Sequence, residues 1–195
     1  MFRNVAFEDN VHIVTPGAAA RKILPLIGLQ LPLQEIRNTF SWFETDESIY
    51  AATDFPAFTF ELPEETYYGF PSIKGAGVKI GHHDGGRPRD MEKPIEPFGA
   101  YEQDEQNVAS FAQQHLPKTG KHGLGKPCTY TITPDENFFI DNHPEHEHVI
   151  LACGFSGHGF KFSSVVGEIL TDMVTGNRQS KRDLSLFSIN RFNKG

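Results

Sequence analysis

The run Val149-Ile150-Leu151-Ala152-Cys153, followed at once by Gly154-Phe155-Ser156-Gly157-His158-Gly159-Phe160-Lys161, decides the fold class. Five consecutive apolar residues mark a strand buried on both faces. Glycines then break the strand, and a helical period resumes downstream. Val166, Ile169, Leu170 and Met173 fall on one face, with Gly176 as terminator. Strand, glycine turn and helix in that order form the building unit of an α/β protein. A helix opening at Gly159 presents unpaired backbone N–H groups and the positive end of its dipole. Two readings follow: an anion or an electron-rich ring edge binds there, or the turn is tight and empty. Lys161 favours the first, because a cation at a helix N-terminus is unfavourable unless an anionic ligand lies close by.

Working outward, residues 138–141 read as a short strand returning in a hairpin from a strand at 128–133, through the turn Pro134-Asp135-Glu136-Asn137. The glycines and lysines of 118–127 read as a lead-in. Residues 104–116 are predicted as an amphipathic helix capped by Asp104 and stopped by Pro117, with Val108, Phe111, Ala112 and Leu116 on one face. Residues 84–103, rich in Pro, Gly and charge, read as a loop. Strands are predicted at 33–43, 57–62, 66–70 and 78–81, and a short buried strand at 11–14 precedes a Pro-Gly turn and a short helix ending near Leu24-Pro25. Alternation along 78–83 puts Lys79, Gly81 and His83 on one face and Val78, Ile80 and His82 on the other.

The chain has 195 residues, 38% of them hydrophobic, with 17 Phe, enough for a packed core. A net charge of −7 argues against a nucleic-acid backbone or an anionic membrane as partner. Two cysteines, Cys128 and Cys153, are too few for a disulfide framework and fit a reducing compartment. The first nine residues lack a basic-then-apolar leader pattern, the last three are not a peroxisomal signal, and no apolar run spans a membrane. The cytoplasm is therefore the expected location.

Several motifs imitate chemistry. Gly154-Phe155-Ser156-Gly157-His158 approaches the G-x-S-x-G nucleophile elbow, but His158 stands where the second glycine belongs. Ser156 as a hydrolase nucleophile is the alternative enzymatic reading. Residues 120–126 fit G-x-x-x-x-G-K, but Pro127 replaces the magnesium-binding Ser or Thr, and strand follows instead of helix. His143, His146 and His148 among Asp141, Glu145 and Glu147 are metal-ligand types, yet Pro144 and the charge density describe a solvated loop. Cys128 follows Lys126-Pro127, a basic and irregular approach that favours a thiolate; core filler is the alternative.

Taken together, these segments resemble monomeric sarcosine oxidase and N-methyltryptophan oxidase. The carrying residues are Tyr67-Tyr68-Gly69-Phe70-Pro71, Gly77-Val78-Lys79-Ile80-Gly81-His82-His83, Cys128-Thr129-Tyr130, Thr133-Pro134-Asp135-Glu136, His143-Pro144-Glu145-His146 and Phe187-Ser188-Ile189-Asn190-Arg191. The glycine turn from Gly154 through Phe162-Ser163-Ser164 and the final Phe187–Arg191 segment are the strongest of them. The resemblance implies a two-domain flavoprotein oxidase fold of α/β (α+β) class, here partial: an antiparallel substrate-domain sheet plus the C-terminal strand–glycine turn–helix of the FAD domain. It implies FAD joined covalently through Cys128, and an N-methyl amino acid and molecular oxygen as substrates, with formaldehyde and hydrogen peroxide as products. It also implies residue roles. Lys79 activates oxygen, and His83 and Tyr68 line the catalytic cavity. Gly157, His158, Gly159 and Phe160 meet the flavin, and Lys161 and Tyr130 meet the substrate.

The family's G-x-G-x-x-G fingerprint, which receives the FAD pyrophosphate, is not in this sequence. The expected organisation is therefore a remnant of the FAD domain at 1–30, a substrate domain at 31–127 and a return to the FAD domain at 128–195. A missing N-terminal FAD-binding segment is the expected partner, and the chain alone is expected to be inactive or to serve as the complementing half of a split flavoprotein.

Overall fold

The computed structural model describes residues 10–176 and 182–192. Residues 1–9 and 193–195, read above for leader and targeting signals, lie outside them. In chain order the elements are β1 (His12–Val14), α1 (Ala20–Ile23), β2 (Gln34–Thr45), α2 (Glu47–Tyr50), β3 (Phe58–Glu61), β4 (Thr66–Phe70) and β5 (Val78–His82). Then come β6 (Arg87–Pro88), α3 (Gln103–His115), β7 (Thr119–Ile132), β8 (Phe139–Asn142), β9 (Val149–Cys153) and α4 (Ser163–Thr175). The chain divides into two compact units, one of residues 1–35 with 130–195 and one of residues 36–129.

In the first unit, β9 is the centre of a three-stranded sheet, parallel to β1 and antiparallel to β8. All five β9 residues are buried, as the unbroken apolar run requires. One core gathers Leu24, Ile27, Leu33, Phe139, Val149, Leu151 and Cys153. A second gathers Phe138, Ile140, Ile150 and Ala152 with Val166, Ile169 and Leu170 of α4. The alternation of β8 and β9 residues between these two clusters is the period-2 pattern of a sheet covered on both sides. Gly176 ends α4 in the left-handed region, at φ 64°.

In the second unit the strand order is β3-β4-β5-β2-β6, with β7 also paired to β2. β3–β4, β4–β5, β5–β2 and β2–β6 pair antiparallel. One face carries Phe43, Val78 and Ile80, which pack with Val108, Phe111, Ala112 and Leu116 of α3. Register Trp42↔Lys79↔Phe70 and Phe40↔Gly81↔Tyr68 puts those six residues on the opposite face.

Four expectations are corrected. Asp104 does not cap α3: Glu102 is the N-cap, without a side-chain bond, and Asp104 lies buried inside the first turn. There Arg37 donates to both its oxygens at 2.8 and 2.7 Å. Residues 119–127 are not a lead-in but the first part of β7, because pairing with β2 overrides their poor strand propensity. β8 pairs with β9 and not with β7, so the turn at 134–137 joins strands of different sheets. The α-helix opens at Ser163, preceded by a 3-10 turn at Phe160–Phe162, and not at Gly159. The loop at 84–103 holds as such, apart from the two-residue β6 and the start of α3 at Gln103.

Candidate active site

The polar-bearing face of the second unit is built on β2, β4 and β5. Lys79 projects there half-buried, its Nζ 3.9 Å from the centre of the Phe40 ring and 5.4 Å from both Trp42 and Phe70. Among the described residues no carboxylate pairs with it. Burial pulls the Lys79 pKa down, and a charge on Cys128 opposes that. Tyr68 lies flat over Gly81: a Cβ built at Gly81 would stand 2.4 Å from the Tyr68 ring. Glycine at this position is what lets the ring cover the strand. The Tyr68 and His83 rings meet edge to face, with centroids 6.5 Å apart. His83 is fixed through its backbone, donating to the Thr66 carbonyl at 2.8 Å and accepting from Asn38 Nδ2 at 3.1 Å.

Cys128 is a free cysteine, half-buried in β7. The expected thiolate is corrected. Burial pushes the thiol up to about 11, and the nearby charges of Lys79 and Arg37 offset only part of this. It is a protonated thiol at neutral pH. Its approach is also regular strand, not the irregular segment read from Lys126-Pro127.

The glycine turn of the first unit is shaped by rings. Gly157 sits at φ 81°, and a Cβ there would stand 2.3 Å from Tyr130, so Tyr130 and Gly157 come together. A Cβ at Gly159 would meet the Phe155 ring at 2.6 Å. His158 Nδ1 lies 3.0 Å from the Ser156 carbonyl, and its ring packs on Phe138. Phe160 is 94% exposed, and Lys161 is exposed over the Phe162 ring with no carboxylate pairing with it among the described residues. The turn leads into α4 without any side-chain cap.

Ser156 resembles a nucleophile elbow in conformation, with φ 48° at a strand-to-helix turn, but its Oγ is engaged elsewhere. It is 1% exposed, accepts from the Thr133 amide at 3.2 Å and donates to the Gly154 carbonyl at 3.4 Å. His158 Nδ1 faces the Ser156 carbonyl, and among the described residues no side-chain base is hydrogen-bonded to the Ser156 hydroxyl. His143 is equally structural. Residues 143–148 form the expected loop between β8 and β9, exposed at Pro144, Glu145 and Glu147, but His143 itself is buried: Nε2 donates to the Ile27 carbonyl at 2.8 Å, while Nδ1 accepts from the amides of Glu145 and His146. Among the described residues no group of three or more His, Cys, Asp or Glu is placed to hold a metal.

Sequence reading missed the rings around Lys79, although aromatics at alternate positions of β2 and at the end of β4 were the available signal. It also missed Arg37, which donates to the Glu96 and Pro97 carbonyls as well as to Asp104. No local pattern links residues that far apart.

The sequence profile described as FAD dependent oxidoreductase matches residues 5–173. The chain belongs to the FAD-dependent oxidoreductase family. It is 47% identical over 191 residues to the monomeric sarcosine oxidase of Bacillus sp. (strain B-0618), an alignment covering 96% of this chain and 48% of that protein. To the N-methyl-L-tryptophan oxidase of Yersinia pestis (strain Pestoides F) it is 40% identical over 181 residues, 92% of this chain and 47% of that one. The chain thus spans about half the length of the curated relatives it matches. Iminodiacetate oxidase from Chelativorans sp. BNC1 superposes with a TM-score of 0.70 at 18% identity, over 93% of this chain and 46% of that one. Glycine oxidase from Geobacillus kaustophilus gives 0.66 at 18% identity, over 90% and 44%. These two likenesses carry the flavoprotein oxidase fold of this family. No helix among the described residues is long and apolar enough to cross a membrane.

Proposed function

We propose that this chain supplies the substrate-facing residues and part of the flavin contacts of an FAD-dependent oxidase of N-methyl amino acids such as sarcosine. The products are the demethylated amino acid, formaldehyde and hydrogen peroxide. The observation that carries this reading is the second-unit sheet face, where an unpaired ammonium, Lys79, stands among rings within electrostatic reach of a free thiol, Cys128. An aromatic-lined face with an uncompensated cation near a free thiol fits a flavin ring whose charge becomes more negative on reduction. FAD, when bound, supplies the hydride acceptor and passes two electrons to oxygen.

The remaining chemistry belongs to the residues of the chain. Lys79 stabilises negative charge that develops on oxygen and is absent from neutral dioxygen, so it acts on the barrier and not on ground-state binding. Cys128 would be the residue that holds the cofactor covalently, through its sulfur. Tyr68 and His83 line the catalytic cavity and exclude water from the reacting carbon. Lys161 holds the substrate carboxylate, Tyr130 contributes to substrate binding, and the 157–160 turn offers backbone N–H groups to the ring. In domain terms, the first unit belongs with the FAD-binding half and the second with the substrate half.

The test is product analysis on the flavin-loaded protein that contains this chain. Sarcosine should yield one formaldehyde and one hydrogen peroxide per turnover, with N-methyltryptophan assayed alongside it to fix the side-chain preference. Flavin-loaded protein that releases neither product from any N-methyl amino acid would refute the reading.

A further inference from the structure

Lysines that stabilise a transient anion face a conflict. A carboxylate partner would hold the ammonium in place but cancel its charge, while no partner lets the four-carbon stem carry the ammonium into water. Aromatic faces resolve this, since a ring quadrupole attracts a cation without carrying a net charge.

We propose that Phe40 and Trp42 are positioning residues for Lys79: with Phe70, their rings seat its ammonium so that the charge is held in place and left uncancelled. The inference rests on the oxygen-facing role proposed for Lys79. Register supports it, because Trp42, Lys79 and Phe70 are directly paired neighbours across β2, β5 and β4, and Phe40 lies two residues along the same face. Distances support it, with Nζ 3.9 Å from the Phe40 centroid and 5.4 Å from each of the other two. Among the described residues no carboxylate competes for the ammonium, and the one titratable group acting on it is Cys128 of β7. A cavity of about 270 Å³ opens beside the seat between Trp42, Phe70, Pro71 and Ile73, and Lys79 is its one charged lining residue. An apolar recess ending on a lone ammonium suits a small neutral molecule that becomes an anion on taking up an electron, which is the chemistry of dioxygen.

The experiment measures the two half-reactions by stopped flow in flavin-loaded protein carrying Phe40→Leu or Trp42→Leu. Phe60→Leu serves as control, removing a ring from the opposite-face core. Loss of one ring contact should slow reoxidation of reduced flavin by about 3- to 30-fold while leaving reduction by substrate near the wild-type rate. Phe40→Tyr, which keeps a ring, should restore reoxidation. Proton NMR gives a readout that a purely structural role would not move. The Lys79 ε-methylene protons should lie upfield of other lysines from ring currents, shift back in Phe40→Leu and stay put in Phe60→Leu. Wild-type reoxidation in both ring variants, with Lys79→Met slow, would overturn the seat and leave the oxygen role standing. Wild-type reoxidation in Lys79→Met would overturn the oxygen role and the seat with it.

Discussion

The Ser156 hydroxyl accepts the buried Thr133 amide at 3.2 Å, and that contact defines what its removal costs. Ser156→Ala leaves a backbone donor unsatisfied in a site closed to water, which costs about 1–3 kcal/mol. Urea unfolding should register that loss, and a fluorophosphonate probe should label neither protein. Labelling of wild type at Ser156 would restore the hydrolase alternative. Cys128 gives a second residue-scale expectation. A thiol pushed up to about 11 by burial is almost wholly protonated at pH 7–8, so alkylation by iodoacetamide should be slower than for a free cysteine and should rise with pH toward that value. In flavin-loaded protein, fluorescence should persist on a denaturing gel and vanish in Cys128→Ala; its disappearance in Cys153→Ala instead would move the attachment site.

Among elements, the long loop preceding α3 is held by one buried ion pair. Arg37 on β2 donates to Asp104 on α3 and to the carbonyls of Glu96 and Pro97, while the Gly99 amide donates to Asp104. Burial alone would raise the Asp104 pKa, but the Arg37 bonds and charge and the Gly99 amide outweigh it and hold the carboxyl below its usual value. Removing one partner of such a pair costs about 3–5 kcal/mol, because the other charge is left buried. Asp104→Asn should therefore lower the unfolding midpoint and speed amide exchange across residues 94–101. The double change Arg37→Met with Asp104→Leu should recover much of the loss, and an unchanged midpoint in Asp104→Asn would contradict the role. Asp104 also marks the limit of sequence reading at this scale. An acidic residue just ahead of an apolar period looks like a cap, and its actual partner is 67 positions away. The amphipathic face of α3 and the buried run of β9 were legible because their periods are local. β7 was not, because nine of its residues become strand only through pairing with β2.

Across the whole molecule, Arg191 ties the C-terminal segment to the 134–137 turn with two bonds to Asp135, stacking at the same time on Phe139. The guanidinium holds the Asp135 carboxyl well below the usual carboxylate range, with burial a smaller opposing effect. A folded pKa below the unfolded one gives stability that is complete above roughly pH 5 and is lost as pH falls from there through the folded value. The urea midpoint should drop over that window in wild type and drop less in Arg191→Gln; equal slopes would contradict the clamp. How the candidate site residues group was legible only in part. Lys79, Gly81 and His83 share a face by alternation, and Tyr68 joins them through β4–β5 register, which no single-strand pattern contains. Dependence of the oxygen half-reaction on Lys79 in the proposed oxidase is tested by sequential mixing of flavin-loaded protein, anaerobically with sarcosine and then with oxygen. A unit charge at about 4 Å in an effective dielectric near 20 interacts by roughly 4 kcal/mol, an upper bound of about a thousandfold in rate. Sarcosine should bleach the flavin in wild type and in Lys79→Met at similar rates, and oxygen should restore the colour about 100- to 1000-fold more slowly in the variant. Failure of sarcosine and other N-methyl amino acids to bleach the wild-type flavin, or a Lys79→Met protein that reoxidises normally but is not reduced, would contradict the account.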